Sequence, residues 1–186
     1  LLMSAVRASL RAHVQGTYDI DEVVSKVNQA LCQDMRDNEF ASLWYGVFDP
    51  SRMRLTYCSA GHEPPLVVRM PKGRAPTMAD LDELGVGGMV VGIDPSQRYQ
   101  RAIFDLRPRD VLIAYTDGLV DATNFSGQRW GKKRMREAVL ACFANKPDAT
   151  AAEILDQLLW ELRQFSGLSP RSDDRTIVVI RVKPPG

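Results

Sequence analysis

Two pairs of amphipathic helices bracket a block of short apolar strands, and one β-branched strand follows the second pair; this order constrains the fold more than any single motif. LLMSAVRASLRAHV (1–14) is apolar with Arg7 and Arg11 inside it and no small-residue cleavage site after it, which predicts an amphipathic helix already under way and not a signal peptide. The second helix is marked by Asp19 three residues before Glu22, a capping-box arrangement, and by Ile20, Val23, Val24, Val27, Leu31 and Met35 at helical spacing. FASLWYGVF (40–48) is apolar almost throughout, as expected of a strand buried on both faces. Asp49-Pro50-Ser51-Arg52 reads as a turn, and MRLTYCS (53–59) as the return strand of a hairpin. Further strands are predicted at 66–70, at 99–106 and, centrally, in DVLIAY (110–115), while residues 71–88 lack periodicity and read as a surface flap. Helices follow over 131–145, with Met135, Ala138, Val139, Cys142 and Phe143 on one face, and over 150–165, opening with a Thr150/Glu153 capping box. The last strand is RTIVVIRV (175–182). This order suits a layered α+β domain better than a strictly alternating parallel sheet.

The chain has 186 residues, 45% of them hydrophobic, enough for one globular domain over 1–186 with a sizeable core. Its net charge of +1 provides no global field to attract nucleic acid or an anionic membrane. The local basic cluster Lys132, Lys133, Arg134 and Arg136 reads as a solvated helix face, with a docking site for a phosphorylated partner as the competing reading. Cys32, Cys58 and Cys142 are odd in number and far apart, which indicates neither a zinc knuckle nor a disulfide framework and points to a reducing, cytoplasmic setting. No apolar run approaches the length of a membrane span.

Asp117 and Asp173 each lie in a loop flanking a strongly apolar strand. If those strands are neighbours in one sheet, both carboxylates point into one cleft. Oxygen-only ligands suit hard cations such as Mg²⁺ or Mn²⁺. A pair of such ions activates a water and neutralises a phosphate ester during in-line displacement. Gly118 would let the backbone approach an ion or its water shell. Against this, Asp residues beside strands are usually turn or cap residues, and the residues alone leave both readings open.

Four ordered stretches carry a resemblance. LRPRDVLIAYTDGLVDATNFSGQRWGKKRM (106–135) resembles the segment of metal-dependent protein phosphatases of the 2C type in which a strand ends in Thr-Asp-Gly, and is most similar to the bacterial branch that regulates sigma factors, the RsbU and SpoIIE type. FASLWYGVFDPSRMRLTYCSAGHEPPLVVR (40–69) looks like that branch's hairpin and Ala-Gly-His loop, GGMVVGID (87–94) like its Gly-x-x-x-Gly segment, and SDDRTIVVIRV (172–182) like its closing Asp-Asp-x-Thr strand. The resemblance implies a 2C-type β-sandwich flanked by helices in α-β-β-α layers. It implies a serine/threonine protein phosphatase using two Mn²⁺ or Mg²⁺ ions, with Asp117 and Asp173 as catalytic metal ligands and Gly118 in the metal site. Asp174 falls where relatives often have Asn and is the less direct ligand; Asp121 is expected to start a helix, His62 to be a packed, hydrogen-bonded histidine, and His13 to lie on the surface. The implied substrate is a phosphorylated anti-sigma-factor antagonist of the STAS type, and the implied neighbour in the whole protein is a sensor or receiver domain.

Two departures stand out. Arg109 occupies the Gly position of the branch's Pro-Gly-Asp turn, which is tolerable if the turn is type I. Relatives also carry an Asp-x-x-Gly-x-Gly motif just before the helix matching LLMSAVRASLRA, and no acid precedes Asp19 here. The expectation is therefore an N-terminally truncated domain lacking its first strands and its bridging Asp. Such a domain would bind metal weakly and have a sheet edge open to pairing with a second copy. The rival reading is a non-catalytic interaction or dimerisation module.

Overall fold

The computed structural model describes residues 2–16, 19–34, 39–169 and 173–183; Met35, expected on the second helix's apolar stripe, lies outside them. In chain order the elements are α1 (Leu2–Val14), α2 (Ile20–Asp34), β1 (Leu43–Asp49), β2 (Arg54–Ala60), β3 (Leu66–Val68), β4 (Leu81–Glu83), β5 (Gly87–Gly88), β6 (Ala102–Asp105), β7 (Val111–Tyr115), α3 (Asp117–Val120), α4 (Gly131–Asn145), α5 (Ala151–Ser166) and β8 (Ile177–Arg181). They form two compact units, one of residues 1–64 and 84–106, the other of residues 65–83 and 107–186. Each unit pairs helices with one mainly antiparallel sheet, so the α+β expectation holds.

In the first unit β1 and β2 form the expected hairpin, Leu43 opposite Ala60 through Asp49 opposite Arg54. Its turn is tied by Asp49, whose Oδ1 accepts the Ser51 amide at 2.9 Å and the Ser51 hydroxyl at 2.6 Å. β2 also pairs with β6 and, in parallel, with the short β5. That parallel contact requires a bare backbone: a Cβ on Gly87 would lie 1.7 Å from the Ser59 carbonyl oxygen. Beneath the sheet, Val24, Val27 and Leu31 of α2 pack on Cys58, Ala60 and Tyr99. The buried Asn28 clasps α2 to the chain after β5, its amide nitrogen donating to Asp94 O at 2.8 Å while its Oδ1 accepts the Gly92 amide at 2.9 Å. Asp19 and Glu22, expected to cap α2, are held in ion pairs with Arg101 and, at 2.8 Å, with Lys26.

β1 departs from expectation. It is half-buried with Val47 and Phe48 exposed, because it is an edge strand covered by β2 on one side only. A continuous apolar run does not reveal that position.

The second unit orders its strands β4-β3-β7-β8, with β7 central as expected. Met135, Val139 and Phe143 of α4 and Ile154, Leu158 and Leu162 of α5 bury against Val111, Ile113 and Leu119. The Thr150/Glu153 capping box is present at the start of α5. The expected surface excursion at 71–88 is mostly exposed, but short parts of it pair as β4 and β5. Arg74 grips Asp80 through two hydrogen bonds of 2.6 and 2.8 Å, and β4 then pairs with β3. The basic cluster lies on an exposed face of α4, as expected, with local partners. Arg134 donates to the carbonyls of Arg129 and Trp130 and stacks 4.8 Å over the Phe165 ring, Arg136 reaches Glu83 at 2.5 Å, and Lys133 faces Glu137 at 3.9 Å.

The turn into β7 corrects another expectation. Arg109 has φ of 78°, with the Asp110 amide donating to Arg107 O at 3.0 Å, so the turn is not type I and needs a left-handed residue at its third position. Asp110, 1% exposed, organises the turn by accepting Arg69 Nη1 at 2.6 Å and the amides of Arg107 and Met70 at 2.9 and 3.2 Å.

Candidate functional site

The loops bearing Asp117 and Asp173 meet because β7 and β8 are neighbours. Tyr115 pairs with Ile177, the last pair of the antiparallel ladder. One step further, the Thr116 amide donates to Thr176 O at 3.1 Å and the Thr176 amide donates to Thr116 Oγ1 at 3.0 Å. The Thr116 hydroxyl in turn donates to Asp174 O at 3.4 Å. Beyond this knot one strand turns into α3 with Asp117 as its first residue, while 173–176 leads into β8.

Gly118 lies in the angle between the loops. A Cβ built on it would fall 2.2 Å from Asp174 O and 3.4 Å from the Asp173 Cβ, so only glycine lets the two acidic loops come this close. Its carbonyl accepts Arg175 Nε at 3.2 Å. Gly118 thus enters the site through the side chain it lacks, and its oxygen is already engaged by a cation.

Both acids are exposed and restrained in the same way: Asp117 Oδ1 accepts the Gly118 amide at 2.8 Å, and Asp173 Oδ1 accepts the Asp174 amide at 2.7 Å. Two fixed carboxylates at a glycine cradle are the hard oxygen donors that Mg²⁺ or Mn²⁺ takes. No group of three or more His, Cys, Asp or Glu side chains suited to a metal occurs among the described residues.

Asp121 does not start a helix. It caps the C-terminal end of the four-residue α3, its amide donating to Asp117 O, and its carboxylate accepts Arg129 Nη1 at 3.1 Å. At that end a carboxylate gains nothing from the helix dipole, and the arginine is what balances it. His62, in the other unit, pairs its Nδ1 with Ser42 Oγ at 3.0 Å, a hydrogen-bonded loop histidine. His13 is half-buried, not a plain surface residue. Burial pushes the Cys58 thiol up to about 11 and raises that of Cys142, which removes both from thiolate chemistry.

Sequence reasoning missed Thr116 and Arg175, the residues that join the two loops. The available signal was a Thr beside each acidic motif, at positions that face one another once the strands are paired.

The fold matches solved phosphatase domains. The SiaA-PP2C domain of Pseudomonas aeruginosa superposes with a TM-score of 0.75 at 18% identity, over 97% of this chain and 68% of that one. Protein IcfG of Synechocystis is 31% identical over 141 residues, which is 76% of this chain and 20% of IcfG. Phosphoserine phosphatase RsbU of Bacillus subtilis is 24% identical over 185 residues, covering 98% of this chain and 51% of RsbU. The chain therefore spans about a fifth and about half of the two curated relatives. The family model for Stage II sporulation protein E matches residues 1–183, and the chain belongs to the SpoIIE family.

Proposed function

We propose that this domain is a metal-dependent serine/threonine protein phosphatase acting in bacterial sigma-factor regulation. The observation that carries the reading is the cradle at Gly118, which packs the Asp117 and Asp173 loops against each other at one end of the β7–β8 ladder. The likeness to RsbU, named a phosphoserine phosphatase, and to PP2C domains supports it. Asp117 and Asp173 hold Mn²⁺ or Mg²⁺ together with a further carboxylate from outside the described residues. Gly118 serves as the cradle that lets the two loops meet. The bound ions supply an activated water and neutralise the charge of the phosphate ester. The protein's own part is to keep the two carboxylates fixed and close, so that ion binding does not have to order two loops.

The substrate in this reading is a phosphorylated STAS-type regulator, and a sensor or receiver domain controls the phosphatase from elsewhere in a longer cytoplasmic protein. β8, an edge strand among the described residues, offers the strand edge through which two copies would pair. A second reading, a non-catalytic binding module, draws on the presence of only two of the needed carboxylates among the described residues.

Mn²⁺-dependent phosphate release from a phosphoserine STAS protein separates the two. It should be assayed with this chain, with a version extended on its N-terminal side, and with Asp117→Asn and Asp173→Asn in the active form. Activity abolished by either substitution supports the phosphatase. Stoichiometric binding of the STAS protein without turnover in every form sinks it.

A further inference from the structure

Three hydrogen bonds centred on Thr116 tie the acidic loops next to the sheet, but they stop short of α3, where Asp117 begins. At Gly118 the two chains lie in close contact, and contact alone does not stop them drifting apart. Arg175 reaches across this gap: its Nε donates to Gly118 O at 3.2 Å from a half-buried side chain. A guanidinium on a carbonyl is a charge-assisted bond.

We propose that Arg175 is a positioning residue for the cation site, clasping the first turn of α3 to the 173–176 loop so that Asp117 and Asp173 keep their spacing with or without an ion. This rests on reading Asp117 and Asp173 as cation ligands. Partners that orient ligands in this indirect way change metal affinity about 10–100-fold when removed. A purely structural arginine would alter global stability without selectively altering ion affinity or the exchange of one loop amide.

The test is a calorimetric Mn²⁺ titration of the full-length protein as wild type, Arg175→Met, Arg175→Lys and Asp117→Asn, with amide hydrogen exchange on the metal-free forms. Arg175→Met should bind Mn²⁺ about tenfold or more weakly. The Thr176 amide should exchange faster in that variant while the Ile113 amide, inside β7, is unchanged. Lysine, which keeps one donor and the charge, should recover part of the affinity. Wild-type affinity and wild-type Thr176 exchange in Arg175→Met, with binding lost in Asp117→Asn, would overturn the clasp and leave the cation site standing. No Mn²⁺ binding by wild type would overturn both.

Discussion

Gly118 and Asp174 touch so closely that a single methyl group on the glycine would sit 2.2 Å from the Asp174 carbonyl oxygen. Gly118→Ala must therefore push the 173–175 loop away from α3. The expected loss is about 1–3 kcal/mol, the usual cost of overpacking, together with weakened Mn²⁺ binding. Urea unfolding and metal titration measure the two. Gly16→Ala, where nothing lies within 4 Å, is the control and should stay within about 0.5 kcal/mol of wild type.

Among the described residues Asp110 and Arg69 form a buried ion pair in the second unit, at 2.6 Å with Asp110 1% exposed. Removing one partner strands a buried charge, so Arg69→Met should cost about 3–5 kcal/mol in urea unfolding. The double variant Arg69→Met/Asp110→Leu should be less destabilised than the sum of the singles, which a double-mutant cycle reads directly.

Arg109 sits at φ of 78°, and its ion pair to Asp148, 2.9 Å long, lies on the surface. Backbone strain outweighs so exposed a pair. Arg109→Gly should be neutral to about 1 kcal/mol stabilising, whereas a β-branched Arg109→Val should lose about 1–2 kcal/mol. Thermal melting distinguishes them, and a clear loss in the glycine variant would show that the ion pair dominates.

Glu153 is the group through which α5 is expected to respond to acid. Lys146 Nζ, with the amide and hydroxyl of Thr150 at 2.7 and 2.9 Å, holds its carboxyl down from 4.5 to about 2. Because the folded value is the lower one, its contribution is complete above about pH 4.5 and disappears as the pH falls through about 2. Glu153→Gln should flatten the dependence of the urea midpoint on pH across that window while leaving the rest of the profile in place.

The long helices were legible because their signal is local. Met135, Val139 and Phe143 recur at helical spacing, and all three are buried. Thr150 and Glu153 stand three residues apart and form their box. Misreadings arose where a residue's surroundings come from distant chain. The apolar run of β1 does not reveal that only β2 flanks it, and β4, three residues long, exists because β3 is there to pair with it. Asp121 was misplaced because four-residue α3 ends where a helix was expected to begin. In the site, the acids could be picked out by type and position, but Thr116 and Arg175 acquire their roles only from the register that joins Tyr115 to Ile177.

That register also sets an order of assembly. The first unit is complete once residue 106 has been made, whereas β7 waits for β8, more than sixty residues further along, before its second edge is covered. Pairings of such sequence separation close late, since loop entropy is spent before any contact repays it. During synthesis the Asp117 loop therefore emerges without its counterpart, and the two acids come together only after β8 has been made. A chain stopped before β8 would carry a folded first unit and an Asp117 loop without its counterpart.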